Sequence, residues 1–93
     1  MTVEQIKSIV ISLVDEYSIR KVVLFGSRAS ETDTPESDID LIVEFDVPVT
    51  ILTLSGLKNR LEELTNLGVD VIHGPVREDD MIEIGRTVEL YAA

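Results

Sequence analysis

The segment from Asp38 to Phe45, DIDLIVEF, constrains the fold most strongly because its apolar residues recur with a period of two. Such alternation is typical of a β-strand with one face against a core and the other face open. Asp38 and Asp40 share the open face, with Cα atoms about 7 Å apart by the strand rise. These two acids either face water or hold something positive. The residues predicted for the core face are Ile39, Leu41, Val43 and Phe45.

The segments before and after this strand predict further strands and helices. Thr2 and Gln5 form the T-x-x-Q capping box of a first helix, whose apolar residues recur at helical spacing. The run RKVVLFG, ending at Gly26, has the composition of a buried strand, and the polar segment after it predicts a loop with one helical turn. Thr50 is placed to cap a second helix that stops at Gly68. The predicted apolar face of this helix consists of Ile51, Leu54, Leu57, Leu61 and Leu64.

The last part of the chain predicts two more strands with a short helix between them. VDVI is β-branched apart from Asp70, HGP predicts a turn, REDDMIEIGR predicts a short helix with acids in its first turn, and TVELY predicts a final strand. We therefore expect one α+β domain over residues 1–93, a sheet backed by helices on one face. Asp38 and Asp40 should lie on the face that the helices leave open.

Charge and cysteine content narrow the possible partners. The net charge of -10 repels nucleic acids and favours a basic partner protein or divalent cations. With no cysteine, the chain has neither disulfides nor thiolate metal sites, so any metal is expected to be a hard cation bound by oxygen. The apolar stretches are strand-sized and the start, MTVEQIKSIV, lacks a basic segment before an apolar run, so we expect a cytoplasmic protein without membrane contact.

The acids and the Gly-Ser turn together predict a site for metal-bound phosphate. Two carboxylates on one strand face can converge on one or two Mg²⁺ ions, and Asp70 on a neighbouring strand is the candidate third ligand. Gly26 lets the backbone approach a ligand closely, and Ser27 with free backbone N–H groups forms a phosphate seat beside the Arg28 cation. This combination predicts nucleotidyl transfer from a nucleoside triphosphate.

The order FGSRA, then SDIDLIV, then a later strand with VDVI resembles the signature of the minimal nucleotidyltransferases of the DNA polymerase β superfamily. The resemblance extends from the first helix to TVELY. It implies a nucleotidyltransferase-like mixed β-sheet with helices packed on one face. It also implies ATP as the substrate and two Mg²⁺ ions as cofactors.

The same resemblance implies a role for each matched residue. Gly26 and Ser27 bind the triphosphate, Asp38 and Asp40 hold the two Mg²⁺ ions, and Asp70 holds the metal that activates the acceptor hydroxyl. Family members of this size resemble antitoxins whose partner is an all-helical HEPN-type ribonuclease toxin, and some adenylylate that partner. We therefore expect an adenylyltransferase acting on a hydroxyl of a HEPN-like partner, in a possible homo- or hetero-oligomer.

Two other functions remain open at the level of the sequence. The chain could be a non-catalytic binding module that neutralises a basic ribonuclease by contact, or a regulator that binds ATP without transfer. A P-loop NTPase or a kinase is excluded because the sequence lacks G-x-x-x-x-G-K-[ST] and Lys58 lies on a helix away from any Gly-rich loop. His73 and Glu44 are left out of the site, since each is more simply a solvated surface residue.

Overall fold

The computed structural model describes residues 1–30, 32–76 and 85–93. Its two helices and four strands follow the predicted order, apart from the predicted short helix in REDDMIEIGR, which lies largely outside the described residues. The elements are α1 (Val3–Tyr17), β1 (Ile19–Phe25), β2 (Ile39–Phe45), α2 (Ile51–Thr65), β3 (Val69–His73) and β4 (Val88–Ala92).

The four strands form one mixed sheet in the order β3-β2-β1-β4. β1 pairs antiparallel with β2 and with β4, whereas β2 pairs parallel with β3. The parallel pair is possible because α2 carries the chain back between β2 and β3, as a parallel connection requires. The fold is therefore α+β with a mixed sheet, which confirms the prediction from sequence.

Both helices contribute to a single core on one face of the sheet. α1 begins with the predicted capping box, in which the Gln5 amide donates to Thr2 Oγ1 at 3.1 Å and the Thr2 amide donates to Gln5 Oε1 at 2.8 Å. The least exposed core residues come from both helices and from β1, β2 and β3. They include Ile6, Val10, Val22, Leu24, Leu41, Val43, Leu57 and Val69. The predicted alternation in β2 is confirmed, since Ile39, Leu41 and Val43 lie in this core and Phe45 packs against it.

The structure corrects the prediction for α2 at both ends. Ile51 and Leu64, predicted for its apolar face, are 73% and 41% exposed, and the buried residues are Leu57, Leu61 and Thr65. The helix stops earlier than expected because Asn66, not Gly68, adopts the left-handed conformation at its C-terminus. The Asn66 amide donates to the Glu62 carbonyl at 2.8 Å, which closes the last turn.

The second face of the sheet carries the acids, but it is not uniformly open. Ile42 lies on the same face as Asp40, two residues along β2, and yet it is only 4% exposed. The turn after β3 folds over it, because the Gly74 amide donates to the Val43 carbonyl at 2.8 Å and a side chain at Gly74 would press on Ile42.

No helix within the described ranges is long and apolar enough to cross a bilayer.

The difference between Leu57 and Leu52 gives a stability test on one helix. Leu57 is 1% exposed and Leu52 is 78% exposed. We expect Leu57→Ala to lower the free energy of unfolding by about 2–5 kcal/mol through lost burial and a residual cavity. Leu52→Ala should change it by less than about 0.5 kcal/mol, as surface substitutions do. Urea denaturation measures both, and equal losses would contradict the packing described for α2.

Candidate functional site

The strand pairings bring the Gly-Ser turn and the acids of β2 to one edge of the sheet. In the antiparallel pair, Phe25 at the end of β1 lies opposite Asp40 near the start of β2. Gly26 and Ser27 follow immediately, so the turn that they form lies beside the Asp40 side chain. The helical turn predicted here is present, since the Ser30 amide donates to the Gly26 carbonyl at 3.1 Å.

The parallel pairing of β2 with β3 adds the third acid. Asp70 is the direct partner of Asp40 in the strand register, so the two side chains leave the same face of adjacent strands about 4.8 Å apart. Their carboxyl groups are close enough to share a hydrogen bond. The sheet therefore brings together Asp40 and Asp70, which are separated by the whole of α2 in the sequence.

The environment of Asp40 favours its protonated form. Burial raises the pKa of the Asp40 carboxyl above its ordinary value, and the hydrogen bond with Asp70, the charge of Asp70 and the charge of Asp38 raise it further. The three acids therefore concentrate negative charge that a proton on Asp40 relieves in the absence of a cation.

Two glycines leave room for the carboxyl groups of Asp38 and Asp40. Gly26 has φ +77°, and a Cβ there would collide with Oδ2 of Asp40 and lie 3.2 Å from its Cγ. A Cβ at Gly68 would lie 2.5 Å from Oδ1 of Asp38. Asp40 is thus seated against the Gly-Ser turn, whereas Asp38 is seated against the residue that precedes β3. From the sequence, Gly68 is predicted only as the stop of the second helix, and the period-two pattern of β2 carries no signal for this contact.

Arg28 lies behind the turn instead of beside its opening. Its side chain is 1% exposed, and its guanidinium donates to carbonyl oxygens of Met1, Pro35 and Ser37. It also pairs with Asp33 at 3.4 Å. This placement favours a positioning role over the predicted direct contact with phosphate.

Ser27 lies in the turn beside Asp40, whereas His73 lies farther along the sheet. Ser27 is partly exposed in the turn, and its carbonyl accepts from the Thr32 amide at 3.0 Å. His73 pairs with Val43 toward the far end of β2 and contacts the Phe45 ring edge-on, with ring centroids 5.6 Å apart. His73 is therefore not a neighbour of Asp40.

The donor set fits a hard divalent cation in chemistry, although the acids are not arranged around one. Carboxylates are the protein ligands that Mg²⁺ prefers, and a dication would remove the repulsion that raises the pKa of Asp40. Within residues 1–30, 32–76 and 85–93, no three His, Cys, Asp or Glu side chains are gathered tightly enough to hold a metal ion. The Asp38 carboxylate lies against Gly68, the residue that precedes β3.

Two glycines with positive φ provide a test of the contact between Gly26 and Asp40. Gly85, at φ +81°, has no atom of the described chain within 4 Å of the point where a Cβ would lie, so the described residues add nothing to the cost of the left-handed backbone in Gly85→Ala. Gly26→Ala carries the same cost and also displaces Asp40. We expect it to destabilise the metal-free protein by at least about 1 kcal/mol more than Gly85→Ala, the scale of overpacking.

Urea denaturation of the two alanine variants gives this difference directly. Equal losses would show that the Asp40 carboxyl does not rest on Gly26. On the sequence alone, Gly26→Ala is expected to keep part of the nucleotide binding and Gly26→Val to lose it. The contact with Asp40 predicts that alanine is already enough to disturb the site.

The raised pKa of Asp40 predicts how stability depends on pH in the metal-free protein. Because folding raises this pKa, the folded chain loses stability as the pH rises through the raised value. Asp40→Asn cannot ionise, so it should be more stable than the parent above that pH, and the gap should close as the pH falls toward the range of an ordinary aspartate. The measurement is urea denaturation in EDTA across this range.

Asp46→Asn is the control, because Asp46 is exposed just beyond the end of β2. The stability of Asp46→Asn should not differ from that of the parent in this pH-dependent way. With saturating Mg²⁺ the order should reverse, since a ligand that binds the folded parent stabilises it by mass action. If the free energy of unfolding of Asp40→Asn depends on pH in the same way as that of the parent, the raised pKa of Asp40 is contradicted.

Comparison with known proteins agrees with the fold. Residues 3–87 match the model of the nucleotidyltransferase domain family. MJ0126 of Methanocaldococcus jannaschii, assigned as a candidate protein adenylyltransferase, is 33% identical over 81 residues, covering 77% of this chain and 83% of the relative. The protein adenylyltransferase MntA of Thermococcus cleftensis is 30% identical over 76 residues, covering 77% of each chain.

Solved structures share the fold at lower identity. A toxin-antitoxin crystal structure with AMP-PNP superposes with a TM-score of 0.77 at 19% identity, covering 94% of this chain and 73% of that one. A complex of tri-AMPylated Shewanella oneidensis HEPN toxin with MNT antitoxin gives 0.72 at 16% identity, covering 99% and 74%. At these identities the structures show the fold, whereas the family match rests on sequence. The chain therefore belongs to the nucleotidyltransferase family.

Proposed function

We propose that this nucleotidyltransferase transfers AMP from ATP to a hydroxyl group of a partner protein. The observation that carries the proposal is the seating of Asp40 between the Gly-Ser turn and Asp70, where burial, the hydrogen bond with Asp70 and the neighbouring acidic charges raise its pKa. Such a concentration of negative charge is costly unless a cation offsets it. The adjacent turn offers backbone N–H groups and a hydroxyl to phosphate oxygens, so a metal-bound triphosphate suits both halves of the site.

Each residue of the site has a proposed role. Asp38 and Asp40 would hold two Mg²⁺ ions, and Asp70 would hold the one nearer the acceptor. When bound, these ions supply charge neutralisation to the triphosphate and lower the pKa of the acceptor hydroxyl. Gly26 lets the backbone approach the phosphates, and Ser27 donates to them.

The proposed reaction is an in-line displacement at the α-phosphorus of ATP. A bond forms between the acceptor oxygen and the α-phosphorus, and the bond from that phosphorus to the oxygen bridging to the β-phosphorus breaks. Pyrophosphate leaves, and the hydroxyl proton passes to solvent. The chain's own contribution is to fix the phosphates and the acceptor within reach of each other.

Charge and relatives support a basic, helical HEPN-type toxin as the acceptor protein. The net charge of -10 favours association with a basic surface and disfavours nucleic acid or an anionic membrane. Two relatives bear the name protein adenylyltransferase, one of them as a candidate, and a structural neighbour is a complex with an AMPylated HEPN toxin. We further propose that residues 1–93 act as one domain in the cytoplasm, where ATP is available, within a complex with that partner.

The alternative function is a binding module that neutralises a basic ribonuclease by contact alone. One observation favours this alternative: among the described residues, no three acidic or metal-ligating side chains are gathered tightly enough to hold a metal ion. The two functions differ in their dependence on Asp70, which catalysis needs and contact does not.

The test adds α-labelled ATP and Mg²⁺ to the protein and to the product of the adjacent gene as the candidate partner. Transfer of label to that product is measured, and mass spectrometry locates the modification. Asp70→Asn should lower transfer at least about 100-fold, the scale of losing one group that stabilises transition-state charge. Glu44→Gln is the matched control, because Glu44 lies on the same face of β2 beyond Ile42. It should transfer at nearly the parent rate.

The result that would overturn the proposal is equally specific. An unmodified partner that is nevertheless inhibited, with Asp70→Asn protecting as well as the parent, would establish the binding module instead. Label transferred from another triphosphate in preference to ATP would keep the transferase function and correct the substrate.

A further inference from the structure

Arg28 is the one charged side chain that is buried in the described part of the chain. Its side chain is 1% exposed, although its sequence position next to Gly26 and Ser27 suggested a cation at the opening of the phosphate seat. A charge removed from water is tolerated only when its donors are satisfied. The partners of the guanidinium therefore indicate why the arginine is buried.

All the donors of the guanidinium are used within the protein. An arginine has five N–H donors, and Arg28 makes five hydrogen bonds, four to carbonyl oxygens and one to the Asp33 carboxylate. Nη1 donates to Met1 O at 3.0 Å and to Asp33 Oδ2 at 3.4 Å, and Nη2 donates to Pro35 O at 3.4 Å. No donor is left over for a phosphate.

The strongest attachment is to the peptide that leads into Asp38. Both Nε, at 3.1 Å, and Nη2, at 2.8 Å, donate to the carbonyl oxygen of Ser37, the residue immediately before Asp38. Ser37 is held from its other side as well, because its amide donates to the Thr34 carbonyl at 3.0 Å and its hydroxyl accepts from the Thr34 amide at 2.8 Å. A guanidinium fork on one carbonyl fixes the plane of that peptide, and with it the direction in which the Asp38 side chain leaves the backbone.

We propose that Arg28 is a positioning residue that sets Asp38 as a metal ligand by clamping the Ser37–Asp38 peptide to the Gly-Ser turn, an inference that rests on the proposed function. Arg28 lies two residues after Gly26, which touches Asp40, and it grips the residue before Asp38. It therefore couples Asp38 to Asp40 through a path outside the strand. The covalent strand alone does not fix Asp38, since β2 begins only at Ile39.

The positioning role and a direct phosphate contact predict opposite changes in metal affinity without nucleotide. A cation near a metal site repels the metal, so losing a phosphate-binding arginine should leave Mn²⁺ binding unchanged or make it tighter. Losing a clamp that orients a ligand should weaken Mn²⁺ binding, by about 10–100-fold as for other residues that orient metal ligands.

The experiment titrates Mn²⁺ into the full chain without nucleotide and follows free Mn²⁺ by electron paramagnetic resonance. Arg28→Met removes the charge and keeps most of the stem, and we expect its Mn²⁺ affinity to fall at least about 10-fold. Arg60→Met is the matched control, because Arg60 is a half-exposed arginine of α2 paired with Glu63. It should change the affinity by less than about 2-fold, as expected for an exposed charge in water.

A conservative variant and a measurement on the parent protein separate positioning from loss of folding. Arg28→Lys keeps the charge but not the fork, so its affinity should fall between those of the parent and Arg28→Met at a temperature where circular dichroism shows each chain folded. In the parent, the Arg28 Nε–H resonance should exchange slowly with water and keep its chemical shift when Mg²⁺ and AMP-PNP are added. If neither variant folds, this NMR measurement on the parent still distinguishes the positioning role from a direct phosphate contact.

The outcomes distinguish this inference from the proposed function. Unchanged or tighter Mn²⁺ binding by folded Arg28→Met, or a large shift of Arg28 Nε–H on adding nucleotide, would overturn the positioning role alone. Mn²⁺ binding by the parent that survives in Asp38→Asn, or no binding by the parent at all, would remove the proposed metal site, and the positioning role would fall with it.

Discussion

The pairing of Asp40 with Asp70 in register across parallel strands is the constraint on which the site depends. Two carboxylates on adjacent strands and one face repel each other, and partial burial of Asp40 adds to the cost. A protein selected for stability alone would place a hydrophobic or oppositely charged pair here, because like charges directly opposite each other weaken a sheet. A cation between the acids, or a proton in its absence, offsets the repulsion between the two carboxylates.

The rest of the fold positions Asp40 and Asp70 beside each other. The antiparallel turn from β1 toward β2 sets Gly26 against Asp40, and α2 returns the chain so that β3 delivers Asp70 beside it. The core lies on the other face of the sheet, where it holds the strands in register without burying the acids further. A shift of β3 by one residue would move Asp70 to the core face. The hydrophobic alternation that builds the core thus also determines where the acids meet.

The sequence predicted what depends on local periodicity and missed what depends on chain segments packing back from a distance. The capping box, the four strands and the face shared by Asp38 and Asp40 followed from spacing alone. The exposure of Ile51 and Leu64, the burial of Ile42 under the Gly74 turn and the contact of Gly68 with Asp38 are tertiary effects that no window of sequence contains. The burial of Arg28 could not be predicted for the same reason, because the polar composition of a loop does not indicate that the loop's carbonyl oxygens will surround a guanidinium.

The most direct test of the carboxylate cluster as a cation site is the titration of Asp40 itself, followed by carbon-13 NMR of its carboxyl carbon. In the metal-free protein this carboxyl should titrate above the range of an ordinary aspartate, because burial and its acidic neighbours favour the protonated form. Saturating Mg²⁺ should move the titration to lower pH, since a bound dication favours the ionised form. An ordinary pKa that Mg²⁺ leaves unchanged would contradict a metal site at these three aspartates.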